Sequence, residues 1–108
     1  MAEFIFGEKN NGALVQVPRG AKITIELDEN PSTGFKWVPG TIDEVFIVPE
    51  GDVFLIGEQA GVGGGGVRKF FFRAKGAGHT TLYFLHKRLS QGDEAAIGSF
   101  KIAVRILK

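Results

Sequence analysis

Few side chains in this 108-residue chain have the chemistry that catalysis or metal binding requires. His79 and His86 are the two histidines, and their spacing is not that of a metal-binding pair. The absence of cysteine excludes a thiolate metal site, a cysteine nucleophile and a disulfide framework. No serine lies in the Gly-x-Ser-x-Gly pattern of a hydrolase nucleophile. The sequence therefore predicts that the protein is not an enzyme and that it needs no metal or cofactor.

The acidic residues do not indicate a general acid–base pair. They occur as neighbours in Asp28-Glu29, Asp43-Glu44 and Asp93-Glu94, and each pair is predicted to lie exposed at a turn. Neighbouring side chains on a turn diverge, whereas acid–base catalysis needs two carboxylates that face one substrate. A domain with long loops and no catalytic groups is most economically a binding module.

The glycine loop, Gly57–Gly66, contains a formal G-x-G-x-x-G pattern. A dinucleotide site also needs a helix to begin at the last glycine, and here the β-branched and aromatic run Val67–Phe72 predicts a strand. Nucleotide binding is therefore excluded. Two interpretations stay open: a flexible spacer, or a surface without side chains that lets another backbone approach closely.

The first loop, Asn30–Phe35, is predicted to be stiff. Pro31 fixes its own φ and keeps Asn30 extended, and the Asn30 side chain can accept a hydrogen bond from the backbone ahead of it. Gly34 can adopt a positive φ that other residues resist. Two residues beyond Phe35, Trp37 lies early in a strand and is predicted to anchor the core.

The elements that must position these loops are strands, because apolar residues alternate with polar ones along most of the chain. Thr41–Glu44 resembles a helix start, but the apolar run after it allows one helical turn at most. The fold class is therefore all-β, an antiparallel β-sandwich of seven to nine short strands. The predicted strands are Glu3–Phe6, Ala13–Val17, Ala21–Leu27, Phe35–Val38, Val45–Val48, Val53–Ile56, Val67–Ala74, Thr80–His86 and Ser99–Leu107.

The length and net charge of the chain limit its domain number and the classes of partner that it is expected to bind. Residues 1–108 are expected to form one domain, without a linker or repeat, and to be monomeric. Thirteen Lys and Arg against twelve Asp and Glu give a net charge of +1 without a basic stripe, so neither nucleic acid nor membrane is expected as a partner. The segment Met1–Phe4 lacks the features of a signal peptide, so we expect a cytoplasmic protein unless a leader has been removed.

Three segments together resemble the motifs of the chagasin-like inhibitors of papain-family cysteine peptidases. The first loop followed by Trp37 is similar to that family's N-P-T-T-G-F/Y-x-W segment, with Ser32 in place of a threonine. The glycine loop is similar to the family's G-x-G-G loop, and Arg88 with Gly92 to its R-P-x-x-G motif. Leu89 stands where that motif has proline, and Ser90 where an aromatic residue is frequent.

The resemblance implies an immunoglobulin-like sandwich in which the three motif loops meet at one end. It also implies a reversible, tight-binding inhibitor whose first loop enters the peptidase cleft while the other two loops grip its sides. The peptidase-binding residues that it implies are Asn30, Pro31, Ser32, Thr33, Gly34, Phe35, Gly63, Gly64, Gly65, Gly66, Arg88 and Leu89.

One topological condition stays open in the sequence. In a sandwich, loops after every second strand fall at the same end. The three motif loops therefore meet if Val45–Ile56 is one strand bent at Pro49, and they do not meet if Pro49–Asp52 is a hairpin. The main alternative function is a non-inhibitory immunoglobulin-like recognition or adhesion module.

Overall fold

A computed structural model describes residues 2–57 and 65–108, which form eight strands in two four-stranded sheets. One sheet has the order β1-β3-β6-β5 and the other the order β2-β8-β7-β4. The predicted all-β sandwich is confirmed, and each predicted strand falls within an observed one to within a residue or two. The strands are β1 (Glu3–Gly7), β2 (Leu14–Pro18), β3 (Lys22–Glu29), β4 (Lys36–Pro39), β5 (Ile47–Ile56), β6 (Gly66–Ala74), β7 (Gly78–Lys87) and β8 (Gly98–Leu107).

The core lies between the sheets and consists of the inward-facing half of each alternating strand. Ile23, Ile25 and Leu27 of β3 have no exposed surface, as the period-2 pattern predicts. Phe84 of β7 lies at the centre of an aromatic cluster, with its ring centroid 4.8 Å from that of Phe70. The rings of Phe72 and Phe100 lie 6.2 and 6.0 Å from the same ring. Burial of these rings supplies the main stabilisation of a small domain without disulfides.

The sheets are antiparallel in four of their six strand pairs, and the description of an antiparallel sandwich is inexact for the other two. β1 pairs with β3 in parallel, and β2 pairs with β8 in parallel. The reason is that β2 leaves for the opposite sheet, so the chain reverses twice between β1 and β3. Both then run in the same direction along one sheet edge.

β5 is one continuous strand and not a hairpin. Its register against β6 shifts between Pro49 and Asp52, where Pro49 pairs with Phe72 and Asp52 with Phe70. Three residue steps along β5 thus match two along β6, which defines a β-bulge. Gly51 lies in this bulge with a φ of +101°, a value that glycine adopts more readily than other residues. The bulge keeps β5 running in one direction, so the condition under which the three motif loops meet is fulfilled.

Helical structure in the described residues is limited to short turns. Three-residue 3-10 turns occur at Glu8–Asn10, Pro31–Thr33 and Asp93–Ala95. The predicted single turn before β5 is present, because the Phe46 and Ile47 amides both donate to the Asp43 carbonyl. Nowhere in residues 2–57 or 65–108 is there a helix that is long and apolar enough to span a membrane.

Replacing Phe84 by alanine tests the aromatic cluster. The change leaves a cavity at the point where both sheets meet, so we expect it to lower the free energy of unfolding by about 3–5 kcal/mol. Thr81→Ala on the exposed face of the same strand is the control and should change it by less than about 0.5 kcal/mol. Urea unfolding of both variants measures this, and equal effects would contradict the assignment of the core.

Candidate functional site

Three loops meet at one end of the sandwich. The first loop joins β3 to β4, the glycine loop joins β5 to β6, and the third loop, Lys87–Gly98, joins β7 to β8. Pairing of Glu29 with Gly66 and of Gly66 with Ile56 brings the first two loops together in one sheet. Pairing of Lys36 with Lys87 brings the third loop beside the first in the other sheet.

The first loop is held in one shape by hydrogen bonds within itself. Asn30 is extended, and its Oδ1 accepts from the Ser32 amide at 3.1 Å and from the Ser32 hydroxyl at 2.7 Å. The Thr33 hydroxyl donates to the Asn30 carbonyl at 2.7 Å and accepts from the Phe35 amide at 3.2 Å. Pro31 occupies the first position of the 3-10 turn, where its missing N–H costs nothing. The predicted stiffness of this loop therefore has a specific structural basis.

Gly34 ends the turn in the left-handed region, with φ +81° and ψ −8°, as the sequence predicts. Its amide donates to the Pro31 carbonyl at 3.1 Å and closes the turn. Residues 31–34 are all exposed, whereas Phe35 is half-buried. The loop thus presents a narrow, exposed tip on an anchored base.

The third loop contacts the first through Arg88. The Arg88 guanidinium lies over the Phe35 ring, 4.5 Å from its centroid, and a Cβ added at Gly34 would lie 3.6 Å from Arg88 Nε. Arg88 itself is exposed, so its guanidinium flanks the tip of the first loop. Leu89 is 66% exposed and borders a groove of about 290 Å³ between β4 and β5.

The glycine loop approaches the first loop with its backbone. A Cβ added at Gly65 would lie 3.1 Å from the Glu29 carbonyl oxygen and 3.5 Å from Asn30 Cβ. At Gly66 a Cβ would collide with the Leu55 carbonyl. Close backbone approach therefore explains these two glycines, whereas the predicted site residues Gly63 and Gly64 lie outside the described residues.

A buried carboxylate joins the two sheets below the loops. Glu29, the last residue of β3, has no exposed side-chain surface, and its Oε2 accepts from the Trp37 amide of β4 at 2.9 Å. Its Oε1 accepts from Arg68 Nε at 3.1 Å and Nη2 at 2.8 Å. Arg68 Nη1 also donates to Asp52 of β5 at 2.8 Å. One ionic cluster thus connects four strands, β3, β4, β5 and β6.

This cluster corrects the expected position of Glu29 and shows where Arg68 lies. Glu29 does not lie exposed at a turn, because it continues the inward series of β3. Arg68 shares the inward face of Phe70 and Phe72, and its side chain is only 17% exposed. Burial opposes its charge, but hydrogen bonds and attraction to Glu29, and then to Asp52, outweigh burial and raise the pKa of Arg68 above its ordinary value.

Asp28 points outward and meets Glu8, which follows β1. Partial burial, a hydrogen bond with Asp28 and the negative charge of Asp28 raise the pKa of Glu8 above its ordinary value. The carbonyl of Asp28 accepts from Trp37 Nε1 at 2.7 Å. The neighbours Asp28 and Glu29 therefore diverge as predicted, but each has a structural partner.

Three rings stack beneath the first and third loops. Trp37 is 8% exposed, so its predicted role as a core anchor is confirmed, and its ring lies parallel to His86 at 4.5 Å. The edge of Phe35 meets His86 at 5.9 Å and 70°. Burial lowers the pKa of His86 below its ordinary value, although the charge of Glu29 partly opposes this. His86 is thus an uncharged ring in the support of the loops at neutral pH.

The predicted site residues of the first loop, with Gly65, Gly66 and Arg88, are brought together at this end. The residues that support them were missed as site residues: Glu29, Arg68 and His86. The alternation of inward and outward residues could have indicated them, because each lies an even number of residues from the buried apolar residues of its strand. Within the described ranges, no group of three or more acidic or histidine side chains could hold a metal ion.

The sequence matches the family model described as "Chagasin family peptidase inhibitor I42" over residues 16–104. No curated protein matches the chain in sequence. The matched range covers all three loops and seven of the eight described strands in whole or in part.

Solved structures share this fold. The crystal structure of the cysteine protease inhibitor EhICP2 from Entamoeba histolytica superposes with a TM-score of 0.86 at 23% identity, covering 98% of this chain and 96% of that one. The solution structure of amebosin gives 0.81 at 17% identity, covering 99% and 100%. PbICP-C, in its complex with falcipain-2, gives 0.60 at 16% identity, covering 90% and 91%. At these identities the similarity shows the fold alone.

A double-mutant cycle of Glu29→Gln and Arg68→Gln tests the buried ionic cluster. Each single change leaves a buried charge or polar group without its partner, so we expect each to cost about 3–5 kcal/mol of stability, and the double variant much less than the sum. Glu26 and Lys69 pair at 3.2 Å on the outer face of the same two strands and provide the control. Their coupling, also measured by urea unfolding, should stay below about 1 kcal/mol. Equal coupling in the two pairs would contradict the special role of Glu29.

Proposed function

Because the chain belongs to the chagasin family of peptidase inhibitors, we propose that it inhibits papain-like cysteine peptidases by filling their substrate cleft with the first loop. As a member of this family the chain is an inhibitor and not an enzyme. The family match does not favour the alternative of an adhesion module.

The observation that carries the proposed mechanism is the preformed shape of residues 30–34. Their backbone is closed by the Asn30 and Thr33 hydrogen bonds before any partner binds. A cleft that accepts an extended peptide admits a narrow, exposed turn of this kind. Since the loop is already ordered, binding does not have to supply its ordering entropy, and this increases affinity.

The two neighbouring loops complete the binding surface. Arg88 presents an exposed guanidinium beside the tip, suited to a carboxylate or backbone carbonyl of the peptidase. On the other side of Asn30, Gly65 of the glycine loop presents backbone without a side chain, so the partner can approach closely there. Contact areas of roughly 800 Å² per partner are sufficient for nanomolar affinity when the partners are preorganised.

The chemistry of the tip favours occlusion over covalent reaction. The chain has no cysteine, and the hydroxyls of Ser32 and Thr33 donate to Asn30 within the loop. No described histidine contacts either hydroxyl to act as its base. Inhibition is therefore reversible, and the peptidase is released intact.

Titration of papain or a cathepsin with the chain tests the proposal. We expect stoichiometric loss of peptidase activity that is fully regained on dilution and competes with a peptide substrate. A serine peptidase of the trypsin type is the control and should be unaffected. No inhibition of several papain-like peptidases would overturn the proposal.

Gly34→Glu separates binding from folding. The new side chain adds bulk and charge at the tip, so we expect binding to weaken by several kcal/mol, while strain at positive φ lowers stability by about 1–3 kcal/mol. Gly20→Glu is a matched control, since Gly20 has φ +91°, open space around it and a position at the opposite end. It should lose similar stability and inhibit as the parent does. Inhibition constants and thermal unfolding measure both effects, and tight inhibition by Gly34→Glu would contradict the role of the first loop.

Truncation of the third loop should affect one residue far more than the others. Arg88→Ala removes the guanidinium beside the tip and its contact with Phe35, so we expect a loss of more than about 1 kcal/mol in binding. Leu89→Ala and Ser90→Ala should each cost less than about 1 kcal/mol, because most residues in an interface contribute little to binding. Inhibition constants decide this, and equal small losses at all three positions would mean that the third loop does not contribute.

A further inference from the structure

His86 lies where the first loop, the third loop and both sheets meet. It is the second-last residue of β7, and its register partner is Trp37 of β4. One face of the imidazole stacks on Trp37, and Phe35 meets it edge-on. The His86 carbonyl accepts from the Ile97 amide at 2.8 Å, at the end of the third loop. His86 therefore contacts the end of the first loop and lies beside both ends of the third loop.

A line of contacts runs from this ring to the exposed surface. The indole of Trp37 is held by the Asp28 carbonyl, and the Trp37 amide by Glu29, so one neighbour of His86 is fixed. The other neighbour of His86 is Phe35, and the Arg88 guanidinium packs over the Phe35 ring. A change in the charge or position of His86 would be transmitted through Phe35 to Arg88.

The surroundings of His86 suit the uncharged ring better than the cation. Its Nε2 is buried and has no hydrogen-bond partner among residues 2–57 and 65–108, so a proton added to the ring would leave a buried N–H group there without an acceptor. Burial lowers the pKa of His86, which agrees with this geometry.

The charged groups around His86 act in both directions. From β3, Glu29 attracts a proton to the ring, and Asp28 borders the same shallow depression. Arg68 of β6 already balances the charge of Glu29, and Lys36 of β4, Lys87 of β7 and Arg88 of the third loop add positive charge nearby. Asp93 of the third loop pairs with Lys87 at 2.7 Å. Glu29, whose charge acts on the His86 ring, is thus engaged with Arg68.

We propose that His86 is a positioning residue that holds the first and third loops together only as the uncharged imidazole. This inference rests on the proposed function for its effect on inhibition. A bound peptidase covers the loop end and buries His86 further, so binding disfavours the protonated ring more than the free chain does. Inhibition therefore weakens as the pH falls below the usual range of histidine.

Protonation of His86 also lowers the stability of the folded chain. Because the pKa of His86 is lower in the folded chain, the unfolded chain binds this proton first as the pH falls from about 6.5. The contribution of His86 to stability is present at neutral pH and is lost as the pH falls through the folded pKa. Replacement by phenylalanine keeps a ring and removes the titration.

The inhibition constants of the parent and of His86→Phe, measured from pH 7.5 to 4.5 on the same peptidase, test the proposal. Their ratio at each pH cancels the titration of the peptidase itself. We expect a constant ratio above about pH 7 and a relative weakening of the parent, of about tenfold for each unit by which binding lowers the pKa, towards acid pH. His79→Asn is the control, because His79 is exposed at the far end of β7, and it should follow the parent. A ratio that does not change with pH would overturn the proposal.

NMR titration of the free chain separates this inference from the proposed function. In the parent, the amide signals of Gly34, Phe35 and Arg88 should shift with the midpoint of the His86 ring, which should lie below the usual histidine value. In His86→Phe these shifts should vanish. Loop signals that do not follow His86 would overturn the proposal, even where inhibition is observed. If the loops follow His86 but the parent inhibits no papain-like peptidase at any pH, the proposed function fails and the positioning role stands.

Discussion

The hydrogen-bonded carboxylate of Glu29 is the constraint on which the geometry of the loop end depends. A charge without exposed surface is expensive, and it persists here because one oxygen accepts two bonds from Arg68 and the other accepts the Trp37 amide. The bond from the Trp37 amide crosses from one sheet to the other and joins residues that are eight positions apart in the chain. The bonds of Glu29 hold both ends of the segment that contains the first loop, so the distance between the two ends of the loop is fixed.

Stiffness in the first loop therefore has two sources that act at different scales. Within the loop, Asn30 and Thr33 satisfy the backbone groups that Pro31 and the tight turn leave free. Below it, the Glu29 cluster and the stacked Trp37 hold the base, and the tip needs no contact with the core. The residues of the tip are thus exposed, whereas Glu29 and Trp37, which hold its base, are buried. This division explains how a chain without cysteine, and without an α-helix in its described residues, can present a rigid loop end.

Much of this arrangement is predictable from the sequence, because alternation is a local property of each strand. The strands, the buried Trp37, the turn at Asn30 and the positive φ of Gly34 all follow from residue types at short range. Three polar residues alternate in phase with the inward-facing apolar residues of their strands: Glu29, Arg68 and His86. Because polar side chains are usually exposed, the sequence did not indicate that these three support the site. Their burial depends on partners 39 residues apart in the chain, as Glu29 and Arg68 are. The parallel pairs at the sheet edges depend likewise on which sheet β1 and β2 join, which local patterns do not encode.

Amide hydrogen exchange of the chain, alone and in complex with papain, tests most directly whether this end of the sandwich is the inhibitory surface. The account predicts slower exchange on binding in residues 30–36, 65–66 and 86–89, which the β3–β6 and β4–β7 registers place at one end. It predicts no change at the opposite end, in the turns at residues 18–21 and 75–78. Protection confined to the opposite end, or to the outer face of either sheet, would contradict the account.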